Sequence, residues 1–291
     1  MKVFNNIILS ALIGLLFVVP SYAKSPVWKV SKGDDYIYLG GTIHLLSEKD
    51  YPLPDAFQVA YAKTDTVVLQ TDIQGLEAPE LQQKLLNAIS YQDHRALSNV
   101  LDREVYNQLD ELLKERNLPI AVFDTFTPAG VIMTLTQFEL ERLALVGGES
   151  VDLHFAKRAS KDDKESFYLE TIDEQLSFIQ SMNQLDPNAV IKSGIEEINS
   201  IKEVWQSLLS AWRSGDLTKL EELGIEDMQK QFPNLYQTML ANRNRQWLDD
   251  IDSLMQNQEK EFILVGALHM AGEDGLISQL KQKGFKLEQL D

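Results

Sequence analysis

Two copies of one local pattern constrain the fold of this 291-residue chain most strongly. Residues 36–44 (YIYLGGTIH) and 261–269 (EFILVGALH) each run an apolar segment, rich in β-branched and aromatic residues, into Gly-x-x-His. Such short apolar segments are typical of buried strands, and ligands bind beyond the carboxyl ends of strands in open parallel sheets. We therefore expect His44 and His269 to lie at one shared site. The alternative is that each imidazole merely bonds the backbone of its own loop.

The spacing of apolar residues predicts the remaining elements. Expected strands are Tyr36–Leu39, Thr66–Leu69, Phe167–Leu169, Phe262–Val265 and Phe285–Leu287, and expected helices are Ala56–Ala62, a segment around Val105–Leu113, one beginning at Thr171, 187–213, 234–256 and Leu276–Lys283. Strand–helix–strand order at both ends of the chain predicts an α/β fold. Its mostly parallel central sheet would be built from the N- and C-terminal segments and interrupted by a large helical insertion at about residues 75–255.

The N-terminus has the pattern of a signal peptide. Lys2 precedes the apolar run Ile7–Val19, and small residues lead to a cleavage site after Ala23. The run is shorter than the roughly 20 residues that cross a bilayer, although an uncleaved anchor is the alternative. Removal of residues 1–23 would leave a single periplasmic or secreted domain over 24–291, with no later membrane span.

Composition excludes several classes of partner and site. The chain has 27 basic and 44 acidic residues, and this acidic balance argues against nucleic acid and anionic membranes as partners. It has no cysteine, which excludes disulfides, thiol nucleophiles and thiolate metal sites. Any metal would have to be bound by His, Asp or Glu.

Glycine and histidine positions refine the candidate site. We expect Gly41 and Gly266 to let the backbone turn sharply as each strand leaves the sheet. His94 lies in a polar stretch and His154 on a predicted helix, so we interpret both as surface or packing residues.

Four segments together resemble the TraB/GumN/PrgY family, whose superfamily includes the animal Tiki proteins. They are GTIH near the start, LET in the middle, ANRNRQW before the end and ILVGALHMAGEDGLISQLKQKGF at the end, and the resemblance runs from about Trp28 to the C-terminus. It implies an α/β fold with an erythromycin esterase/Tiki-like core and a metal-dependent hydrolase or protease site. Erythromycin esterases and a haem-binding lipoprotein family resemble the chain more distantly.

The resemblance also assigns residues. His44 and His269 correspond to the family's paired histidines, Glu170 to the LET glutamate, and Arg243 with Asn244 to an Arg-Asn pair. Two imidazoles and a carboxylate suffice to bind Zn, Mn, Fe or Co with positions left for water. An arginine nearby can stabilise an oxyanion. Glu170 can equally cap the following helix, and Arg243 can be a solvated helix residue.

One position departs from the family pattern. After Thr66–Leu69 the family usually has glutamate, whereas this chain has Gln70. An amide cannot act as a general base and is a poorer metal ligand than a carboxylate. Asp72 lies two residues on, so in an extended chain it would point to the same face and could substitute.

Three hypotheses follow for the function. The first is a metal-dependent hydrolase, such as a peptidase, acting on a peptide or small molecule and using His44, His269 and Glu170 as ligands. The second is a metal-independent esterase with a histidine as general base. The third is a non-catalytic protein that binds a small molecule or haem, or acts as an inhibitor. No G-x-S-x-G elbow, P-loop or dinucleotide fingerprint points to other enzymes.

Overall fold

A computed structural model of the protein describes residues 24–72 and 79–291. The predicted signal peptide lies outside these residues. The strands are β1 Val27–Lys32, β2 Asp35–Thr42, β3 Thr66–Leu69, β4 Glu165–Tyr168, β5 Glu261–Gly266 and β6 Lys286–Gln289. The α-helices are α1 Asp55–Ala62, α2 Pro79–Ala88, α3 Leu97–Val100, α4 Arg103–Glu115, α5 Pro128–Arg142, α6 Val151–Lys161, α7 Ile172–Ser181, α8 Pro187–Arg213, α9 Leu217–Gly224, α10 Glu226–Gln231, α11 Pro233–Tyr236, α12 Asn242–Leu254 and α13 Leu276–Gln282.

The strands of this part of the chain form one six-stranded sheet in the order β4-β3-β5-β2-β1-β6. The neighbours β4-β3, β3-β5 and β5-β2 pair in parallel, whereas β1 pairs antiparallel with both β2 and β6. The fold is therefore α/β with a mixed sheet. Both antiparallel pairings involve β1, the strand that the sequence analysis did not predict.

Helices bury both faces of the sheet. On one face Phe262 and Leu264 of β5 pack in a cluster with residues of α1, α6 and α8. On the other face Ile263 and Val265 pack against α12 and α13. Side chains alternate between the faces of a strand, so the continuous apolar run Phe262–Val265 of β5 is favourable because both faces are covered.

Helices also form a core of their own away from the sheet. Leu109 of α4, Val131 of α5 and Ile191 of α8 belong to one buried apolar cluster. α8 takes part in both cores, because Trp212 near its carboxyl end packs on the sheet and donates Nε1–H to the Gly41 carbonyl over 2.7 Å.

Several predicted elements are confirmed. β3 and α8 have the predicted bounds, and Thr171 begins α7 with the reciprocal capping-box bonds to Glu174. The segment predicted as one helix at 234–256 contains a π-helical stretch, Gln237–Ala241, between α11 and α12. No helix among residues 24–72 and 79–291 is long and apolar enough to cross a membrane.

Candidate functional site

The two Gly-x-x-His segments leave adjacent strands at the same edge of the sheet. β2 and β5 are parallel neighbours, with Thr42 paired to Gly266 at their carboxyl ends. His44 follows β2 by two residues, and His269 lies in the 3-10 turn Ala267–Met270 directly after β5. The two turns therefore lie side by side at this edge of the sheet.

The two glycines of this pattern have a different role from the one expected. Neither Gly41 nor Gly266 has a positive φ, so a sharp turn does not require glycine at either position. A Cβ on Gly41 would lie 2.8 Å from the Met270 sulfur, so Gly41 permits close packing. A Cβ on Gly266 would meet only ordinary contacts, including His269 Cδ2 at 3.6 Å and His44 Nε2 at 3.8 Å. The missing side chain of Gly266 leaves a space that both imidazoles border.

His44 is an exposed imidazole with a buried partner. Its Nδ1 lies 3.0 Å from Oδ2 of Asp152, whose other oxygen accepts a 3.0 Å hydrogen bond from Thr42 Oγ1. The His44 side chain is 63% exposed and that of Asp152 only 3%. The negative charge of Asp152 raises the pKa of His44 above its ordinary value.

His269, in contrast, is buried and bonded to a neutral partner. Its Nδ1 lies 2.7 Å from Asn244 Oδ1, and the Asn244 Nδ2 group donates to the carbonyls of His269 and Asp274. The Trp247 ring packs beside the imidazole with centroids 4.4 Å apart. Burial, with smaller contributions from the charges of Arg243 and His44, holds the pKa of His269 well below its ordinary value.

Glu170 and Arg243 form a buried ion pair beside the histidines. Arg243 Nε and Nη2 donate to the two carboxylate oxygens of Glu170, each over 2.7 Å. The guanidinium also lies over the rings of Phe178 and Trp247. Arg243 Nη1 donates to the carbonyl of Met239 in the π-helical stretch. Such stretches are frequent at functional sites because they shift the register of the side chains that follow.

Gln70 links three strands of the sheet edge. Its Oε1 accepts a 2.7 Å hydrogen bond from the Gly266 amide, and its backbone carbonyl accepts one from the Glu170 amide. Gln70 is buried, and its Oε1 lies 3.4 Å from the position of a Cβ on Gly266. Asp72 instead hydrogen-bonds the Tyr168 side chain, and burial, with a smaller contribution from Asp72, raises the pKa of Tyr168.

The structure therefore brings His44, His269, Gln70, Glu170 and the Arg243–Asn244 pair together at the carboxyl edge of parallel strands. The other two histidines have separate surroundings. His154 lies in α6 with Nδ1 3.2 Å from Glu149 Oε2, and His94 is exposed.

Asp152 is the site residue that the sequence analysis missed. It lies in the first turn of α6, after the N-cap Ser150, where an acidic residue needs no function to be favourable. It follows no strand and belongs to none of the segments that resemble the family. Only the packing of α6 against the sheet brings it to His44.

The proposed metal ligands fit a divalent ion in part. Metal-bound histidines almost always donate their other ring N–H to an oxygen acceptor, and Asp152 and Asn244 place such acceptors at Nδ1 of His44 and His269. Both carboxylate oxygens of Glu170 already accept hydrogen bonds from Arg243. In the part of the chain that the structure describes, no group of three or more His, Asp or Glu side chains is arranged to hold a metal.

The fold and the site define an α/β protein with two imidazoles at the carboxyl edge of parallel strands. Residues 26–289, nearly the whole chain, match the model of the TraB/PrgY/gumN family, and the chain belongs to that family. No curated protein and no solved structure matches it.

Proposed function

We propose that this protein is an exported hydrolase that activates water between His44 and His269 and acts on a peptide or another small molecule. The observation that carries the proposal is that both imidazoles border one space at Gly266. Each of them also has its Nδ1 engaged by a partner. Two oriented bases around a space large enough for a small group form a suitable arrangement for holding and deprotonating water.

The two histidines have different parts in this proposal. His44 is exposed, and the buried Asp152 beside it stabilises the imidazolium that forms when His44 accepts a proton. His269 is held neutral by burial, so its Nε2 remains an acceptor that can orient the water or bind a cation. A divalent ion such as Zn, Mn, Co or Fe, held by His44 and His269, would lower the pKa of its bound water towards about 7.

Arg243 and Glu170 would act mainly by stabilising the structure around the site. Three N–H bonds commit the guanidinium to Glu170 and Met239, and aromatic rings cover it. Its positive charge nevertheless adds to the effect of burial in lowering the pKa of His269, and it partly opposes the rise that Asp152 causes in the pKa of His44. This charge would also favour a developing oxyanion, because electrostatic interactions are stronger in a site with little water.

Family membership and the sequence support the remaining parts of the proposal. The N-terminal signal-peptide pattern supports export to the periplasm, and membership of the TraB/PrgY/gumN family supports a core related to the Tiki proteins and erythromycin esterases. We also propose that residues 24–291 form a single domain.

The experiment is hydrolysis of a peptide and ester panel by the purified protein, together with analysis of its metal content. We compare the natural protein, His44→Ala, His269→Ala and the control His94→Ala, each before and after chelation. Loss of turnover in the two site variants alone supports the hydrolase. Turnover that survives both variants contradicts it. Stoichiometric metal lost in both variants favours the metal-dependent form, and turnover unaffected by chelation favours His44 as general base.

One observation favours a second candidate function, the binding of a small molecule such as haem without catalysis. The side chain that follows β3 is the amide of Gln70, and its oxygen is occupied by the Gly266 amide. An amide at this position cannot deprotonate water. A small molecule that co-purifies with the natural protein but not with His269→Ala, together with no turnover on the panel, would favour binding.

A further inference from the structure

We propose that Asp152 and Asn244 are positioning residues that keep both neutral imidazoles at the shared space beside Gly266 in the Nδ1–H tautomer, so that the lone pair of each ring is on Nε2. The use of those lone pairs in catalysis rests on the proposed hydrolase function. The tautomers themselves do not.

The argument for His269 follows from the amide of Asn244. The carbonyls of His269 and Asp274 can only accept hydrogen bonds, so the Asn244 atom that contacts both must be the NH₂ group. The amide oxygen then faces the imidazole at 2.7 Å. An oxygen at this distance requires a donor, and therefore the hydrogen of neutral His269 is on Nδ1 and its lone pair is on Nε2.

The argument for His44 follows from the carboxylate of Asp152. An ionised carboxylate has no hydrogen to donate, so His44 Nδ1 must donate across the 3.0 Å contact. The second oxygen is occupied by the Thr42 hydroxyl, and the carboxylate is buried. These contacts leave the carboxylate little freedom to turn away. His44 keeps its Nδ1 hydrogen whether or not Nε2 is protonated.

The hydrogen bonds from His44 to Asp152 and from His269 to Asn244 determine which groups can bind in the space at Gly266. His44 Nε2 lies 3.8 Å from the position of a Cβ on Gly266, and His269 Cδ2, which is bonded to Nε2, lies 3.6 Å from it. With both neutral rings in this tautomer, His44 Nε2 presents an electron pair to the space, and the N–H groups of both rings are engaged by Asp152 and Asn244. The space is suited to a group that accepts electron pairs, such as an O–H donor or a metal cation, and not to an anion.

Nuclear magnetic resonance of the natural protein tests this directly. We use ¹⁵N-histidine-labelled, chelator-treated protein at a pH where the imidazoles are neutral, and record two-bond ¹H–¹⁵N correlations for its four histidines. Signals are assigned by substitution of single histidines. The expected result is an unprotonated Nε2 at both His44 and His269, while exposed His94 serves as the unlocked reference. An Nε2–H tautomer at either site histidine in the natural protein overturns the proposal for that residue.

Two variants then separate positioning from a merely structural role. In Asp152→Asn the new NH₂ group can donate to His44 Nδ1, so we expect the Nε2–H tautomer and a fall in kcat of about 10²–10⁴-fold with little change in KM. In Asn244→Ala we expect His269 to lose its single tautomer. Unchanged tautomers in correctly folded variants overturn the proposal, and if a variant does not fold, the spectrum of the natural protein decides. Locked tautomers in a protein without turnover would leave the positioning intact and contradict only the hydrolase.

Discussion

The two Gly-x-x-His turns share a sequence pattern and a sheet edge, yet their imidazoles have opposite surroundings. His44 is exposed and lies beside a carboxylate, which raises its pKa. His269 is buried beside an amide and an indole ring, and burial lowers its pKa. The glycines differ as well, since Gly41 lies against Met270 whereas Gly266 borders the space between the imidazoles.

This contrast shows that the position of each histidine and its pKa have different origins. The repeated pattern places each histidine just beyond a strand. The partners Asp152 and Asn244 come from α6 and α12, outside the two motifs. The charge of Asp152 raises the pKa of His44, whereas burial lowers the pKa of His269. The same motif therefore has an imidazole with a raised pKa in one copy and an imidazole with a lowered pKa in the other.

The largest expected effect is a loss of stability on breaking the buried Glu170–Arg243 ion pair. Glu170→Gln would leave the Arg243 guanidinium buried without its counter-charge, so we expect the free energy of unfolding to fall by about 3–5 kcal/mol. Urea denaturation measures the change. The exposed pair Lys84–Asp173 is the control, and Lys84→Met should cost no more than about 1 kcal/mol. Equal losses of stability in both variants would contradict the expectation that the buried pair costs more to break than the exposed pair.

The glycines provide the second test. Gly266→Ala places a methyl group in the space between the imidazoles without a severe clash, so turnover should fall at least about 100-fold. The free energy of unfolding should change by less than about 1 kcal/mol. Gly41→Ala should show a different pattern, losing about 1–3 kcal/mol of stability through overpacking against Met270. Full turnover in Gly266→Ala would mean that the reacting group lies elsewhere.

The pH dependence of the free energy of unfolding distinguishes the two imidazoles in chelator-treated protein. Below about pH 6.5 unfolded His269 takes up a proton that the folded state resists, so this group makes stability fall as pH falls. His44 has the opposite sign, because the folded state keeps a proton that the unfolded state releases above about pH 6.5.

Each contribution has a slope of at most about 1.4 kcal/mol per pH unit. We subtract the free energy of unfolding of His269→Gln from that of the natural protein at each pH, and this difference should fall as the pH falls below about 6.5. The same difference for His44→Gln should fall as the pH rises above about 6.5. Differences of the same sign for both histidines would contradict the contrast between their surroundings.

The smallest expected effect is at Gln70. A glutamate there can keep the bond from the Gly266 amide and add a carboxylate oxygen beside the histidines. We therefore expect Gln70→Glu to raise turnover at least about tenfold, or roughly 1.4 kcal/mol of transition-state stabilisation. If Asp72 already supplies the carboxylate, Asp72→Asn abolishes turnover and Gln70→Glu adds little. Strong turnover that survives Asp72→Asn would exclude a need for either carboxylate.

Local sequence patterns predicted much of the framework. The bounds of β3 and α8, the capping box at Thr171 and the strand-to-histidine turns depend on residues close in the chain, so short-range rules apply to them. β1 was missed because polar residues interrupt its apolar residues Val27, Trp28 and Val30, and its strand conformation depends on pairing with β2 and β6. The mixed character of the sheet follows from that strand.

The sequence by itself determined that the two histidines follow buried strands, and its resemblance to a family supplied Glu170, Arg243 and Asn244. Only the tertiary structure decided that Asp152 contacts His44, that Glu170 pairs with Arg243, and that Gly266 borders the shared space. The physical reason is that hydrogen-bond partners, burial and pKa shifts depend on which distant segments pack together. The spacing of residues along the chain carries no record of those contacts.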